Sequence, residues 1–176
     1  DSFVSRGLGD VYKRQLDNNP SPGNKKGGLT TILEKSLGAV SKAGNRNMVD
    51  VLDYAEQVKT KGFNFMNSPG YDPVSVTGQV ASGANVICFT TGRGSCFGFK
   101  PTPSIKIATN TNMYNKLSED MDINAGTIMD NVASVNEVGK EIFDKIISVA
   151  SGEKSKSEIN DYGDDEFNPW IIGATL

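Results

Sequence analysis

The sequence predicts an α/β fold, a layered domain with a mainly parallel sheet flanked by helices, Rossmann-like without a dinucleotide fingerprint. Two short apolar runs, Asn85 to Thr91 (NVICFTT) and Ser104 to Asn110 (SIKIATN), have the composition of buried strands. Stretches with helical apolar spacing, two of them opened by a Ser/Thr-x-x-Glu capping box, alternate with those runs, which is the pattern of helices layered on a parallel sheet. No G-x-G-x-x-G leads from a strand into a helix, because GRGSCFG has the wrong spacing, and no P-loop motif occurs.

The chain has 176 residues, enough for one domain with a sizeable core, and this domain is assigned to residues 16–176. Residues 1–15 differ in character. Asp10 to Gln15 reads DVYKRQ, which resembles the translation of a sequencing-library adapter, so Asp1 to Gln15 is set aside as an artefactual extension that adds nothing to stability. Asn18 to Gly28 (NNPSPGNKKGG) is dense in turn formers and is expected to be a loop without helix or strand. Thr31 and Glu34 then form a capping box, and Leu29, Ile32, Leu33, Leu37 and Val40 recur at helical spacing up to about Lys42. Gly44 supplies a left-handed stop, and Met48 to Tyr54 reads as a strand.

A second helix opens at PGYDP, with Asp72 as N-cap and Pro73 as first helical residue, and Gly78, Ala81 and Gly83 suggest close backbone packing along it. The strand Asn85 to Thr91 is expected to be buried on both faces, and the strand Ser104 to Asn110 to alternate. Ser134 and Glu137 cap a last helix carrying Val135, Val138, Ile142, Phe143, Ile146 and Val149, which ends near Gly152. Glu153 to Glu166 is polar and expected to loop, before Phe167 to Leu176 returns to apolar character.

Composition excludes several functions. The net charge is -3 with lysines scattered among acids, so no basic stripe tracks a nucleic acid, and no apolar run approaches the roughly 20 residues of a membrane span. The expected compartment is the cytoplasm, with Cys88 and Cys96 as reduced thiols. There is no histidine, so any imidazole chemistry must come from outside this chain.

The candidate site centres on the loop Thr90 to Gly98 (TTGRGSCFG), where glycines let backbone N–H groups approach an anion and Arg93 can grip a carboxylate with two parallel bonds. Thr91 and Ser95 add short polar side chains suited to hydroxyl groups. Such a loop lies beyond the carboxyl end of a strand, where open α/β sheets collect ligands. Lys106 and Asn110, on and after the following strand, are candidates for the same cleft, Lys106 being equally readable as an ordinary surface lysine. Asn24 and Lys25 lie in the first loop, where a lysine held against substrate would neutralise a carboxylate or, with a lowered pKa, act as base. Asp72 is either a helix cap or an acid–base group. Asp120, Asp122 and Asn124 make an oxygen-rich turn with a possible role at a metal, solvated acids being the commoner outcome, and Asp164, Asp165 and Glu166 read as solvated.

The segments NPSPGNKKGGLTTILEKSLGAVSKAG, PGYDPVSVTGQVASGANVICFTTGRGSCFGFKPTPSIKIATN and DMDINAGTI resemble the carboxy-terminal region of the altronate and galactarate dehydratase family, over about Asn19 to Ile128. The closing GATL resembles the family's carboxyl terminus, so the resemblance implies a fragment lacking the amino-terminal and middle parts. It also implies loss of water from a sugar acid, altronate first and galactarate second, to a 2-keto-3-deoxy acid. A divalent metal, usually Fe2+, is implied with unknown ligands. In that reading Lys25 and Asp72 are the catalytic candidates, and Asn24, Thr91, Arg93, Ser95, Lys106 and Asn110 the substrate-binding ones. The expected partners are the sugar acid, the upstream domains of the same enzyme and further copies of the chain in a homo-oligomer, with no nucleic acid and no membrane. The rival is a non-catalytic acid-sugar-binding or assembly module whose catalytic groups all lie upstream.

Overall fold

The structure is a computed structural model that describes residues 20–171, so the adapter-like Asp1 to Gln15 and the last five residues lie outside the described residues. The chain divides into two compact units, one running through Gly83 and regaining the chain from Asn168, the other Ala84–Phe167.

In the first unit, α1 (Pro22–Lys26) corrects the expectation of a featureless loop. Pro22 sits at the first helical position, where its missing N–H costs nothing, and Ser21 and Asn24 cap each other reciprocally. Turn-rich composition forbade a long helix here but not one turn with a good cap. The next helix, α2 (Ile32–Ser41), starts where expected, but only half of its capping box forms: Thr31 Oγ1 accepts from Glu34 N, while the Glu34 carboxylate takes the N–H and hydroxyl of Thr30. Those donors hold the Glu34 carboxyl below its ordinary range. Its apolar stripe is uncovered, with Leu33, Leu37 and Val40 exposed. Gly44 does adopt a left-handed conformation (φ 70°).

The strand β1 (Met48–Leu52) pairs in parallel with β2 (Phe63–Met66), which the sequence pattern does not announce. In α3 (Asp72–Ala81), Tyr71 holds the N-cap position without a side-chain bond, and Asp72 is the first helical residue rather than the cap. Proline tolerates the first turn as a whole, so the start shifts by one. Gly78 is packed as anticipated: a Cβ there would stand 2.4 Å from the Tyr54 ring. Tyr54 in turn donates to Val74 O at 2.7 Å, accepts from Trp170 N at 3.3 Å and meets the Trp170 ring edge-on at 5.5 Å.

The second unit carries the expected sheet, three parallel strands in the order β3 (Ile87–Thr91), β4 (Ser104–Ala108) and β5 (Ile123–Asn124). Being central, β4 is buried at all five positions, so it does not alternate. At the edge, β3 is buried on one side only: Cys88 and Thr90, in register with Ile105 and Ile107, are exposed. Helix α5 (Val135–Ala150), with the Ser134–Glu137 capping box fully formed, lays Val149, Ile142 and Ile146 against Ile105, Ile107 and Ile123. Its end matches the prediction, Gly152 turning left-handed at φ 105°.

The opposite face of β4 presents Ser104, Lys106 and Ala108. Ala108 packs on Met113 of the short helix α4 (Thr111–Lys116) and on Met121. Ser104 O accepts from Ser157 of α6 (Lys156–Ile159). That last helix lies inside the tail expected to loop. Ser155 caps it through a box with Glu158, and Ser155 and Ser157 are buried despite their polarity because their hydroxyls bond within this turn and to β4.

Candidate functional site

The loop after β3 is built as a turn that aims one cation outward. Gly94 takes φ 93° and lies so close to Leu117 that a Cβ would fall 2.1 Å from its Cδ1, so only glycine fits. The hydroxyl of Thr91 accepts from Gly94 N at 3.1 Å, and that of Ser95 from Phe97 N at 3.0 Å. These two side chains therefore hold the loop, each keeping its hydroxyl proton available to donate. Phe97 is buried and stacks on Phe89, anchoring the far side. Arg93, between Gly92 and Gly94, is exposed and enters no ion pair among the described residues.

The same loop is tied to the exit of β4. Thr109 N donates to Thr91 O at 3.0 Å, and Asn110 Nδ2 donates to Gly92 O at 2.8 Å while its Oδ1 accepts from Met113 N. Asn110 is thus both the cap of α4 and the strut of the Arg93 loop. The exit of β5 continues the rim: Asn124 Nδ2 donates to Thr111 Oγ1 at 3.1 Å, Asn124 Oδ1 accepts from Gly126 N, and Thr111 also donates to Asp130. A Cβ on Gly126 would strike the backbone of Thr111 at 2.2 Å, so this junction closes only around glycine. Thr91, Asn110, Thr111 and Asn124 thus line the carboxyl ends of three adjacent parallel strands, with Arg93 rising from the same rim. Thr109, Thr111 and Asp130 were not anticipated. The available signal was positional, a Thr or Asn at the end of each strand or directly after it: Thr91, Thr109 and Asn124.

Lys106 is elsewhere. It faces away from α5 in mid-strand and is wholly buried, which overturns its reading as a surface lysine. Among the described residues its Nζ finds no hydrogen-bond acceptor; it lies 4.0 Å from Asp120 Oδ1 and 5.0 Å from the centre of the Tyr162 ring. Burial pushes the amine below its ordinary 10.5, against the raising influence of Asp120, Asp122 and Cys96. The sign for stability follows. Between the depressed folded value and 10.5 the unfolded chain binds the proton and the folded chain does not, so this group makes stability rise with pH across that window. Lys106→Met, which keeps the length and removes the unbonded amine, should raise stability at neutral pH by about 1–2 kcal/mol and flatten that rise, as read by urea unfolding from pH 6 to 10.

Asn24, Lys25 and Asp72 belong to the first unit, whereas Thr91, Arg93, Ser95, Lys106 and Asn110 belong to the second. Asn24 is engaged locally, its Oδ1 accepting from Ser21 and from Lys35 Nζ at 3.1 Å. Lys25 is exposed in α1 and Asp72 exposed at the start of α3. The acids of the oxygen-rich turn part ways: Asp122 is buried, accepting from the N–H groups of Lys106 and Lys156, while Asp120 faces Lys106. Asp164 pairs with Lys100 at 3.5 Å. Among the described residues no three carboxylate or cysteine side chains gather as metal ligands. This donor set does not fit a divalent ion.

Comparison with known proteins places these features in a family. The model of the D-galactarate/altronate dehydratase C-terminal region matches residues 8–175. Over 154 residues the chain is 43% identical to galactarate dehydratase (L-threo-forming) of Escherichia coli K12, covering 88% of this chain and 28% of that protein. It is 43% identical over 145 residues to altronate dehydratase of Bacillus subtilis 168, covering 82% of this chain and 29% of the relative. A more distant similarity, 34% over 143 residues, is to the beta subunit of (2R)-sulfolactate sulfo-lyase of Chromohalobacter salexigens, covering 81% of this chain and 37% of that one. The chain thus spans less than a third of the dehydratases it matches.

Proposed function

The chain belongs to the D-galactarate/altronate dehydratase family as its C-terminal region, and from that premise we propose that it contributes the carboxylate-binding surface of a cytoplasmic hydro-lyase acting on a sugar acid. The substrate we favour is altronate, then galactarate, and the product a 2-keto-3-deoxy acid. The observation that carries this reading is Arg93, an exposed planar cation, in no ion pair among the described residues, held between glycines at the carboxyl edge of β3 beside hydroxyl and amide side chains. A sugar acid offers one carboxylate for the guanidinium and several hydroxyls for Thr91, Ser95 and Asn110.

Elimination requires loss of a proton beside the carboxylate, so negative charge builds on the very group that Arg93 would hold, and a bidentate cation there stabilises the enediolate more than the ground state. The divalent ion associated with such dehydrations, Fe2+ in our proposal, would take its ligands from the upstream portion that the longer relatives possess. A panel of sugar acids, incubated with the full-length protein and Fe2+, tests the reading through formation of 2-keto-3-deoxy acid. Altronate should react fastest, and the 176-residue chain alone should give no product. Absence of product from every sugar acid with the full-length protein would overturn it, and turnover by this chain alone would overturn the need for upstream groups.

A further inference from the structure

Two consecutive elements of the first unit are left half-built. Helix α2 has ten residues and buries none of them, although Leu33, Leu37 and Val40 fall on one face at helical spacing and are between 60% and 71% exposed. A helix shorter than about 12–15 residues is marginal in water unless its apolar stripe finds a tertiary partner. The sheet that follows has the same defect. Strands β1 and β2 pair in parallel with no third strand among the described residues. A two-stranded sheet is marginal by itself, and parallel sheets occur almost only with both faces covered.

Here one face is covered and the other is bare. Leu52 and Met66 stand in register; Leu52 is buried, and Met66 reaches α3, its Cε 2.9 Å from where a Cβ on Gly78 would stand and its Sδ accepting from Ser82 at 3.3 Å. Val51 and Phe65 stand in register one position earlier, so both project from the opposite face. There Val51 is 63% exposed, Phe65 is exposed as well, and so is Val49, two residues before Val51. Single exposed apolar side chains are ordinary on a protein surface. A whole helix stripe followed by a whole sheet face marks a surface that something covers.

The occupant follows from where these elements lie in the family. The region matched is the C-terminal one and spans less than a third of the dehydratases, so most of their remaining length precedes the segment that carries α2 and β1. We propose that the α2 stripe and the Val51–Phe65 face of the β1–β2 sheet are the surface on which the upstream portion of the same polypeptide packs, covering the second face of this parallel sheet. A tethered segment meets these surfaces at an effective concentration of about a millimolar, far above that of a second copy in dilute solution. The contact needs no substrate, so it stands or falls separately from the sugar-acid reading.

Amide exchange measured on the full-length protein and on the 176-residue chain tests this. In the full-length protein α2, β1 and β2 should exchange about 100-fold more slowly than in the shorter chain, and hydroxyl-radical labelling of Leu37, Val51 and Phe65 should fall with it. Leu37→Asp in the full-length protein should return α2 to the exchange rate of the shorter chain while leaving α5 unchanged, and Leu37→Met should keep the protection. Equal exchange and equal labelling in the two wild-type proteins would overturn the proposal whatever the variants do. Protection of the same residues in the 176-residue chain as its concentration rises, with sedimentation as a dimer, would give the surface to a second copy and overturn it as well.

Discussion

Arg93→Lys in the full-length enzyme should lower kcat/KM for the sugar acid by about 2–4 kcal/mol of transition-state stabilisation, while the melting temperature stays within a degree or so of wild type. Lysine keeps the charge but loses the planar fork, so it can hold one carboxylate oxygen where arginine holds two. The loss should fall on kcat as well as KM, because charge on the carboxylate grows as the proton leaves. Stability should be spared because the guanidinium is exposed and makes no ion pair among the described residues; the loop is held by Thr91, Ser95, Asn110 and Gly94 instead. If Arg93 were a solvated turn residue, kcat/KM would change by less than about twofold. Steady-state kinetics beside a thermal melt separates the two, and near-wild-type turnover would sink the assignment.

What the sequence made legible follows from how local each determinant is. Helix α5 was readable because its N-cap Ser134, Glu137 and the spacing of Val138, Ile142, Ile146 and Val149 all sit in or beside it, and cap and core contact both form. The parallel sheet was readable because Ile87, Ile105 and Ile107 make short apolar runs between turn signals. β2 and β5 were not, since FNFM and IN are too short and too polar for a period to show, and they are strands only because a neighbour offers its backbone. The polar tail hid α6 for a similar reason: Ser155 and Ser157 look solvated until the strand carbonyl of Ser104 and the carboxylate of Glu158 are brought to them.

For the site, the Arg93 loop was visible because glycine spacing and the end of a strand are both sequence properties. The company of each residue was not. Asn110, expected at substrate, also braces the loop through Gly92, a partner eighteen residues away, and caps α4 through Met113, three residues on. Lys106 carries no mark of burial in SIKIATN, where an alternating strand would place it toward water. Only the second layer, with α6 and Tyr162 covering that face, removes the amine from solvent. Asp120 and Asp122 are two residues apart, yet one is left partly open beside that amine and the other is sealed beneath α6.

Asp122→Ala should be the most destabilising substitution in the second unit, lowering the unfolding free energy by about 3–4 kcal/mol. The Asp122 side chain is 0% exposed. One oxygen accepts from Lys106 N at 2.8 Å, fixing the centre of β4, and the other accepts from Lys156 N at 3.0 Å, at the first turn of α6. Lys145 Nζ approaches the same carboxylate at 3.9 Å, so α5 is drawn to it as well. Alanine would leave the N–H groups of Lys106 and Lys156 without this acceptor, each worth about 1–3 kcal/mol. Asparagine should do little better, because its one carbonyl oxygen can serve a single N–H well while its amide would point a donor at the other. Urea unfolding of the 176-residue chain reads both values, and amide exchange at Lys106 and Lys156 should quicken together in each variant. A loss below about 1 kcal/mol in Asp122→Ala, with both amides still protected, would show that water or rearranged backbone satisfies those donors and that Asp122 does not clamp β4 to α6.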